Sequence, residues 1–329
     1  MKKKVSVITP YFQRQPGLLR KAVESVLKQR DANVNIEIIV VDDGSPVPAD
    51  SEFVGVTLPS NVQVKIIKQK NAGCYPACNA ALDNVSGDTD YIAFLDSDDE
   101  WFEHHLSNAI WALENGGDFY FSDFYQLNQT VSAFKRAGRV SLPEHTRSTE
   151  SRPIYEFCGS MFDQIIKGNI LGTSTIVYSR SRLGHLRYLE DYRHTGAEYI
   201  LWLNMAASAG RIMFSAEPEC RYGSGVNIFS EAAWGTDKFL TVGQDDMRYR
   251  KYILSHLKIS PDQRLHLKKK IQEARTNFCL GLIHNLLHNK RVASSILIDQ
   301  FKSDPMTIPT LIAAPWLVAI NRLRHRATG

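Results

Sequence analysis

The sequence lacks an apolar run long enough to cross a membrane, an internal repeat, a low-complexity segment and the cysteine spacing of a zinc site or disulfide framework. Its last apolar stretch, Met306 to Ile320, is broken by Pro309 and Pro315 and falls short of the roughly 20 residues a spanning helix needs. The basic start Met1-Lys2-Lys3-Lys4 runs straight into the strand-like Val5-Ser6-Val7-Ile8, so no secretion signal is read there. The five cysteines, Cys74, Cys78, Cys158, Cys220 and Cys279, form an odd set that fits a reducing compartment. The expected location is therefore cytoplasmic, and the glycosylation-like triplets Asn84-Val85-Ser86 and Asn128-Gln129-Thr130 are read as chance matches. A formal charge of +4, from 39 basic and 35 acidic residues, is too small to argue for nucleic acid as a partner.

What is present is an ordinary globular composition in 329 residues, enough for one large domain with appendages or two modest ones. From residue 4 to about 125, short β-branched runs alternate with helical stretches, the pattern of a parallel sheet with crossover helices. Val5 to Thr9, Ile36 to Val41, Val62 to Ile67 and Tyr91 to Leu95 read as strands. Helices are expected over 17–29, 75–84 and 103–115. Beyond 125 the pattern loosens into a polar loop over 138–153, a helix over 196–209 and a helical region over 245–303. The expected division is a domain over 1–240, a helical C-terminal region over 241–305 and an apolar, basic tail over 306–329. That tail ends in Arg322, Arg324, His325 and Arg326, and either lies on a membrane surface or docks as a helix on the protein.

Two acidic clusters stand where apolar strands end: Asp42-Asp43-Gly44-Ser45 and Asp96-Ser97-Asp98-Asp99. The carboxyl ends of strands in an open parallel sheet form the ligand crevice, so both clusters are expected to open onto one site. Three carboxylates in four residues raise one another's pKa unless a cation or several donors compensate. Magnesium or manganese, held by one or two carboxylates together with phosphate oxygens and water, suits such a cluster. Asp-rich turns also cap helices, and the acidic triplet alone would not distinguish the two. Its place after a buried strand, beside a second acidic turn, favours the metal diphosphate.

These segments, with Val5-Ser6-Val7-Ile8-Thr9-Pro10-Tyr11, Leu19 to Gln29, Asn71-Ala72-Gly73 and Phe94 to Asp99, resemble in order and spacing the family 2 glycosyltransferases of the GT-A fold. The resemblance covers roughly residues 4–225. It implies an α/β protein, a Rossmann-like mixed sheet flanked by helices with a helical C-terminal appendage. It also implies an inverting transferase that uses a UDP-sugar and a divalent metal. Asp42, Asp43, Asn71, Gly73, Asn79, Asp96, Ser97 and Asp98 would then bind the nucleotide sugar, Pro10 and Tyr11 would line its pocket, and Asp98 with Asp99 would take the metal. Glu198 in Ala197-Glu198-Tyr199-Ile200-Leu201-Trp202-Leu203 would be the general base, with Asp191 and Glu190 as alternatives.

The chain departs from the family pattern twice. Ala197-Glu198 stands for the usual Glu-Asp pair, and Ala77-Cys78-Asn79 for Ala-Arg-Asn, so the donor contact expected of that arginine is either missing or supplied by Lys70. The chain also resembles bacterial exopolysaccharide glucosyltransferases of the succinoglycan type, through Pro10 to Gly17, Trp101 after the acidic run, and Gly223-Ser224-Gly225-Val226-Asn227-Ile228-Phe229. This implies transfer of glucose or another hexose to a glycan, expected to be a lipid-linked oligosaccharide, at the cytoplasmic membrane face, with the glycine segment as a loop over the donor. A non-catalytic nucleotide-sugar-binding subunit of a polysaccharide assembly complex stays open as the alternative. A sugar nucleotidyltransferase is disfavoured because its Gly-rich phosphate loop is absent.

Overall fold

The computed structural model describes residues 2–226 and 232–313. The chain divides into two compact units, residues 1–191 with 201–226, and residues 192–200 with 227–329.

The first unit is built on one mixed sheet of ten strands. They are β1 (Lys4–Tyr11), β2 (Asn35–Asp42), β3 (Val62–Lys68), β4 (Tyr91–Phe94), β5 (Glu100–Trp101), β6 (Phe119–Tyr125), β7 (Thr146–Arg147), β8 (Ile154–Glu156), β9 (Val177–Ser179) and β10 (Ile212–Arg221). Their order is β3-β2-β1-β4-β9-β6-β10-β8-β7, with β5 added to β10. The first four are mutually parallel, as the alternating pattern predicts, while β9, β8, β7 and β5 run antiparallel to their neighbours. From Val5 onward every residue of β1 is buried, and from Ile36 onward every residue of β2, which is why they read as unbroken apolar runs. The edge strand β3 instead alternates, with Gln63, Lys65 and Lys68 exposed.

The chain passes from β1 outward through β2 and β3, then returns to place β4 on the other side of β1. This reversal makes the carboxyl ends of β1 and β4 a topological switch point, where open α/β sheets hold ligands. The helix Leu18–Leu27 packs Leu19, Ala22, Val23 and Val26 into the core at helical spacing. It has no capping side chain of its own; Glu52 instead accepts from the backbone N–H groups of Gly17 (2.9 Å) and Arg20 (3.1 Å). The other expected helices are Cys74–Asp83, His105–Glu114 and Ala197–Ser208. The stretch expected as a polar loop over 138–153 also contains a short 3-10 turn, Leu142–Glu144, and β7.

The second unit is helical, as its spaced leucines and isoleucines suggest: Asp237–His256, Pro261–Leu287 and Ser294–Ser303, then a helical stretch over 307–313. Ser260 and Gln263 form a capping box with Pro261 in the first turn, so the longest helix starts where its sequence directs. Leu240, Met247, Phe278, Leu282 and Ile296 form the core. Among the described residues no helix is long and apolar enough to cross a membrane. Most of the expected tail, residues 314–329, lies outside the described residues.

Candidate active site

At the end of β2, Asp42 and Asp43 are both buried and play different parts. Asp42 Oδ1 accepts from Ser45 N (2.8 Å) and Oδ2 from Ala49 N (2.9 Å), so this carboxylate folds the turn that follows the strand. Asp43 reaches across to the loop after β3. Its Oδ1 accepts from Gln69 Nε2 and Ala72 N, its Oδ2 from Gly73 N, all at 2.8 Å, and its carbonyl from Asn71 Nδ2 at 2.9 Å. Two segments predicted to share the nucleotide thus meet through Asp43. Pro10 is buried in β1, and Tyr11, 1% exposed, belongs to the core, where burial pushes its hydroxyl up to about 12.

The acidic run follows β4 at the switch point. Asp96 N donates to Ser174 Oγ (3.0 Å), and Ser174 Oγ in turn donates to Asp99 Oδ2 (2.6 Å). The other oxygen of Asp99 accepts from Gly223 N (2.9 Å), while Asp98 Oδ2 accepts from Gly225 N (2.8 Å). Gln13 completes the arrangement: its Nε2 donates to Ser97 Oγ (3.0 Å) and its Oε1 accepts from Val226 N (3.1 Å). The described part of the glycine segment, Gly223 to Val226, is therefore strapped across the run by backbone N–H groups. Only glycine fits at residue 223, where a Cβ would stand 1.6 Å from the Asp98 carbonyl oxygen. Asn227 to Phe229 lie outside the described residues.

Burial raises the Asp99 carboxyl well above the usual range, and the charges of Asp96 and Asp98 add to it, against the opposing hydrogen bonds from Ser174 and Gly223. Burial likewise raises half-buried Asp98. The same negative field, second to burial, lifts the Cys220 thiol and the Tyr222 hydroxyl. Among the described residues no lysine or arginine pairs with Asp98 or Asp99. No three His, Cys, Asp or Glu side chains among them form a ready metal cage. The chemistry fits a hard divalent ion that takes one or two carboxylates here and its remaining ligands from diphosphate and water. Asp98, half-buried and held only by backbone N–H groups, Gly225 N among them, is the better placed ligand; both oxygens of Asp99 are committed.

The run is held from behind by a buried polar network. Trp101 Nε1 donates to the Ser174 carbonyl (2.6 Å) and its ring lies 4.7 Å from that of His105. Glu219, 4% exposed, hydrogen-bonds His105 Nδ1 (3.0 Å) and accepts from Tyr120 OH and Asn108 Nδ2, both at 2.7 Å.

Asn79, expected at the donor, receives Tyr188 N on its Oδ1 (2.9 Å) and donates through Nδ2 to the Tyr188 carbonyl (2.9 Å) and Glu190 Oε1 (2.8 Å). It fixes the segment that ends in the exposed Glu190 and Asp191. Beside it Cys78 is buried, its thiol raised first by its contact with Cys74. Glu198 belongs to the other compact unit. It sits in the first turn of its helix, partly buried, with Oε1 accepting from Thr195 Oγ1 (2.9 Å) and Oε2 from Gly196 N (3.0 Å).

Gln13, Gln69 and Ser174 were not singled out from the sequence. Ser174 had a readable signal, a small polar run Thr173-Ser174-Thr175 set between the apolar Ile170-Leu171 and Ile176-Val177.

Comparison with known proteins gives a consistent picture. The sequence profile described as Glycosyl transferase family 2 matches residues 6–176. Succinoglycan biosynthesis protein ExoW of Rhizobium meliloti is 29% identical over 249 residues, 72% of this chain and 74% of that protein. The Escherichia coli protein UDP-Glc:alpha-D-GlcNAc-diphosphoundecaprenol beta-1,3-glucosyltransferase WfgD is 27% identical over 203 residues, 61% of this chain and 69% of its own. Of some other curated relatives, which are longer, the chain spans about 30%. Among solved structures, the mannosyltransferase PcManGT of Pyrobaculum calidifontis in complex with GDP-Man and Mn2+ matches with a TM-score of 0.54 at 16% identity, over 96% of this chain and 86% of that one. That likeness speaks for the fold.

Proposed function

Because the chain belongs to glycosyl transferase family 2 and is similar to proteins of polysaccharide biosynthesis, we propose that it transfers a hexose, with inversion, from a UDP-sugar to a hydroxyl of a lipid-linked glycan. The observation that carries this reading is the run Asp96 to Asp99, seated at the switch point with Asp98 half-buried and facing only neutral donors. The name of the E. coli relative supports UDP-glucose as donor and a diphosphoundecaprenol-linked acceptor, and the manganese in the solved mannosyltransferase supports the metal.

In this reading Asp98 holds the ion and Asp99 orients the loop that presents it, while Asp43 and Asn71 receive the nucleoside end. When bound, the ion neutralises the charge that builds on the departing diphosphate. Glu198 takes the proton from the acceptor hydroxyl as its oxygen bonds to the anomeric carbon and the bond from that carbon to UDP breaks. Glu190 and Asp191 compete for that role. The work is placed at the cytoplasmic membrane face, where such an acceptor resides.

Calorimetric titration of UDP-glucose with manganese into the wild type and Asp98→Ala tests the metal site; equal affinity for the two refutes it. Glu198→Gln is expected to bind donor normally and to lose about 10²- to 10⁴-fold in transfer. Full activity in that variant moves the base to Asp191 or Glu190. Metal-dependent donor binding without turnover on any acceptor pool would favour the non-catalytic subunit.

A further inference from the structure

The helical unit carries an excess of exposed apolar side chains. Of thirteen large hydrophobic residues exposed in the described chain, eight lie after residue 227, in a unit that holds about a third of the sequence. Its charge is also one-sided: residues 257–329 contain twelve lysines and arginines against four acidic residues, although the whole chain is only +4.

The two excesses coincide at the end of the helix Pro261–Leu287. Leu286 (62% exposed) and Leu287 (76%) close that helix, and the exposed Lys290 and Arg291 follow in the loop. Trp234, 48% exposed, packs its indole against Phe239 (centroids 5.0 Å apart) and His284 (6.0 Å). Lys290 Nζ donates to the Gly235 carbonyl at 3.1 Å, which holds the basic loop beside the tryptophan. The His284 and His288 rings, one turn apart, lie 4.1 Å from each other at a tilt of 32°. The core-facing side of the helix is already filled by Phe278 and Leu282, and the leucine pair lies outside that core.

We propose that Trp234, Leu286, Leu287, Lys290 and Arg291 form a docking surface for a membrane that carries anionic lipid. Aliphatic side chains at a helix end enter the boundary between headgroups and acyl chains, an indole sits at that level, and adjacent cations attract anionic headgroups. A protein partner of ordinary composition would not call for this one-sided charge. The proposal is independent of the transfer reading and involves none of the residues assigned to donor or base.

Vesicle flotation of the full chain tests it. The wild type is expected to float with vesicles containing about one-third phosphatidylglycerol and hardly at all with phosphatidylcholine alone. W234S/L286S/L287S is expected to lower partitioning by about tenfold or more, with unchanged melting and unchanged donor affinity, and K290E/R291E to lower it on the anionic vesicles. R322E/R324E/R326E in the tail leaves most of the binding in place. Wild-type partitioning in W234S/L286S/L287S overturns the proposal, as does complete loss of binding in the tail variant. Conversion of a dimer to a monomer by W234S/L286S/L287S, with vesicle binding unchanged, would overturn it in favour of a second copy.

Discussion

Asp99 in the sheet unit and Asp304 in the helical unit are each 3% exposed, yet they are surrounded in opposite ways. Asp304 receives Arg275 Nε at 2.6 Å, Arg275 Nη2 at 3.1 Å and Lys251 Nζ at 2.8 Å. Burial alone would raise its carboxyl, but these charged donors hold it below the usual range. Among the described residues Asp99 has only the hydroxyl of Ser174 and the backbone N–H of Gly223, and burial with two neighbouring carboxylates raises it. A carboxylate whose cation comes from the chain holds a fold together. One left among neutral donors and like charges is completed by a proton or by an ion from outside, the condition expected of a ligand site.

The largest effect expected from this contrast is on stability. Arg275→Met leaves Asp304 with Lys251 as its one cation, beside the Thr307 hydroxyl, and should destabilise the helical unit by about 3 kcal/mol, read in urea unfolding by circular dichroism. A loss below about 0.5 kcal/mol would mean that Lys251 suffices and would erase the distinction between the two sites.

Next in size is Ser174→Ala, which removes a donor to Asp99 and strands the Asp96 N–H at once. The expected cost is about 1.5–3 kcal/mol, together with weaker manganese-dependent donor binding, because the loop bearing Asp98 loses its clamp. A variant of lower stability but unaltered donor affinity would make Ser174 a packing residue only.

The contrast between the two units also marks what could be read from sequence. Strand and helix identities were legible because β1 and β2 are buried on both faces and the helices repeat apolar residues at their own period. The acidic runs were legible because strand ends in such sheets carry the site. The clamp around them was not. Gln13 meets Ser97 across 84 residues and Val226 across 213, and Ser174 meets Asp99 across 75, separations at which no local period connects the partners. Asp304 was equally hidden, since its partners Lys251 and Arg275 lie on two different helices. The antiparallel strands β7 to β9, two or three residues each, are too short for alternation to show.

A smaller effect of reversed sign is expected from Asp98→Asn. It removes a half-buried negative charge and keeps an oxygen for the Gly225 N–H, so the unliganded chain should gain about 1 kcal/mol, or 2–4 °C in Tm, while losing metal-dependent donor binding. A lower Tm at neutral pH would show that the Asp98 charge is already compensated within the chain.

The finest distinction lies in how the two regions respond to acid. Asp98 and Asp99 have folded-state pKa values above the ordinary value of about 3.9, so as pH falls through those values the folded chain takes up protons before the unfolded chain does, and the sheet unit gains stability. Asp304 is depressed, so its contribution is whole above about pH 4 and is lost only as pH falls below that, where the unfolded chain protonates first. The Tm advantage of Asp98→Asn over the wild type should therefore shrink as pH is lowered from neutral toward the ordinary carboxylate value of about 3.9. The Tm deficit of Arg275→Met should stay level over the same range and begin to close only below about pH 4. If the two differences close together, the acidic run and the Asp304 pair are electrostatically alike, and the case for an ion at Asp98 loses its physical basis.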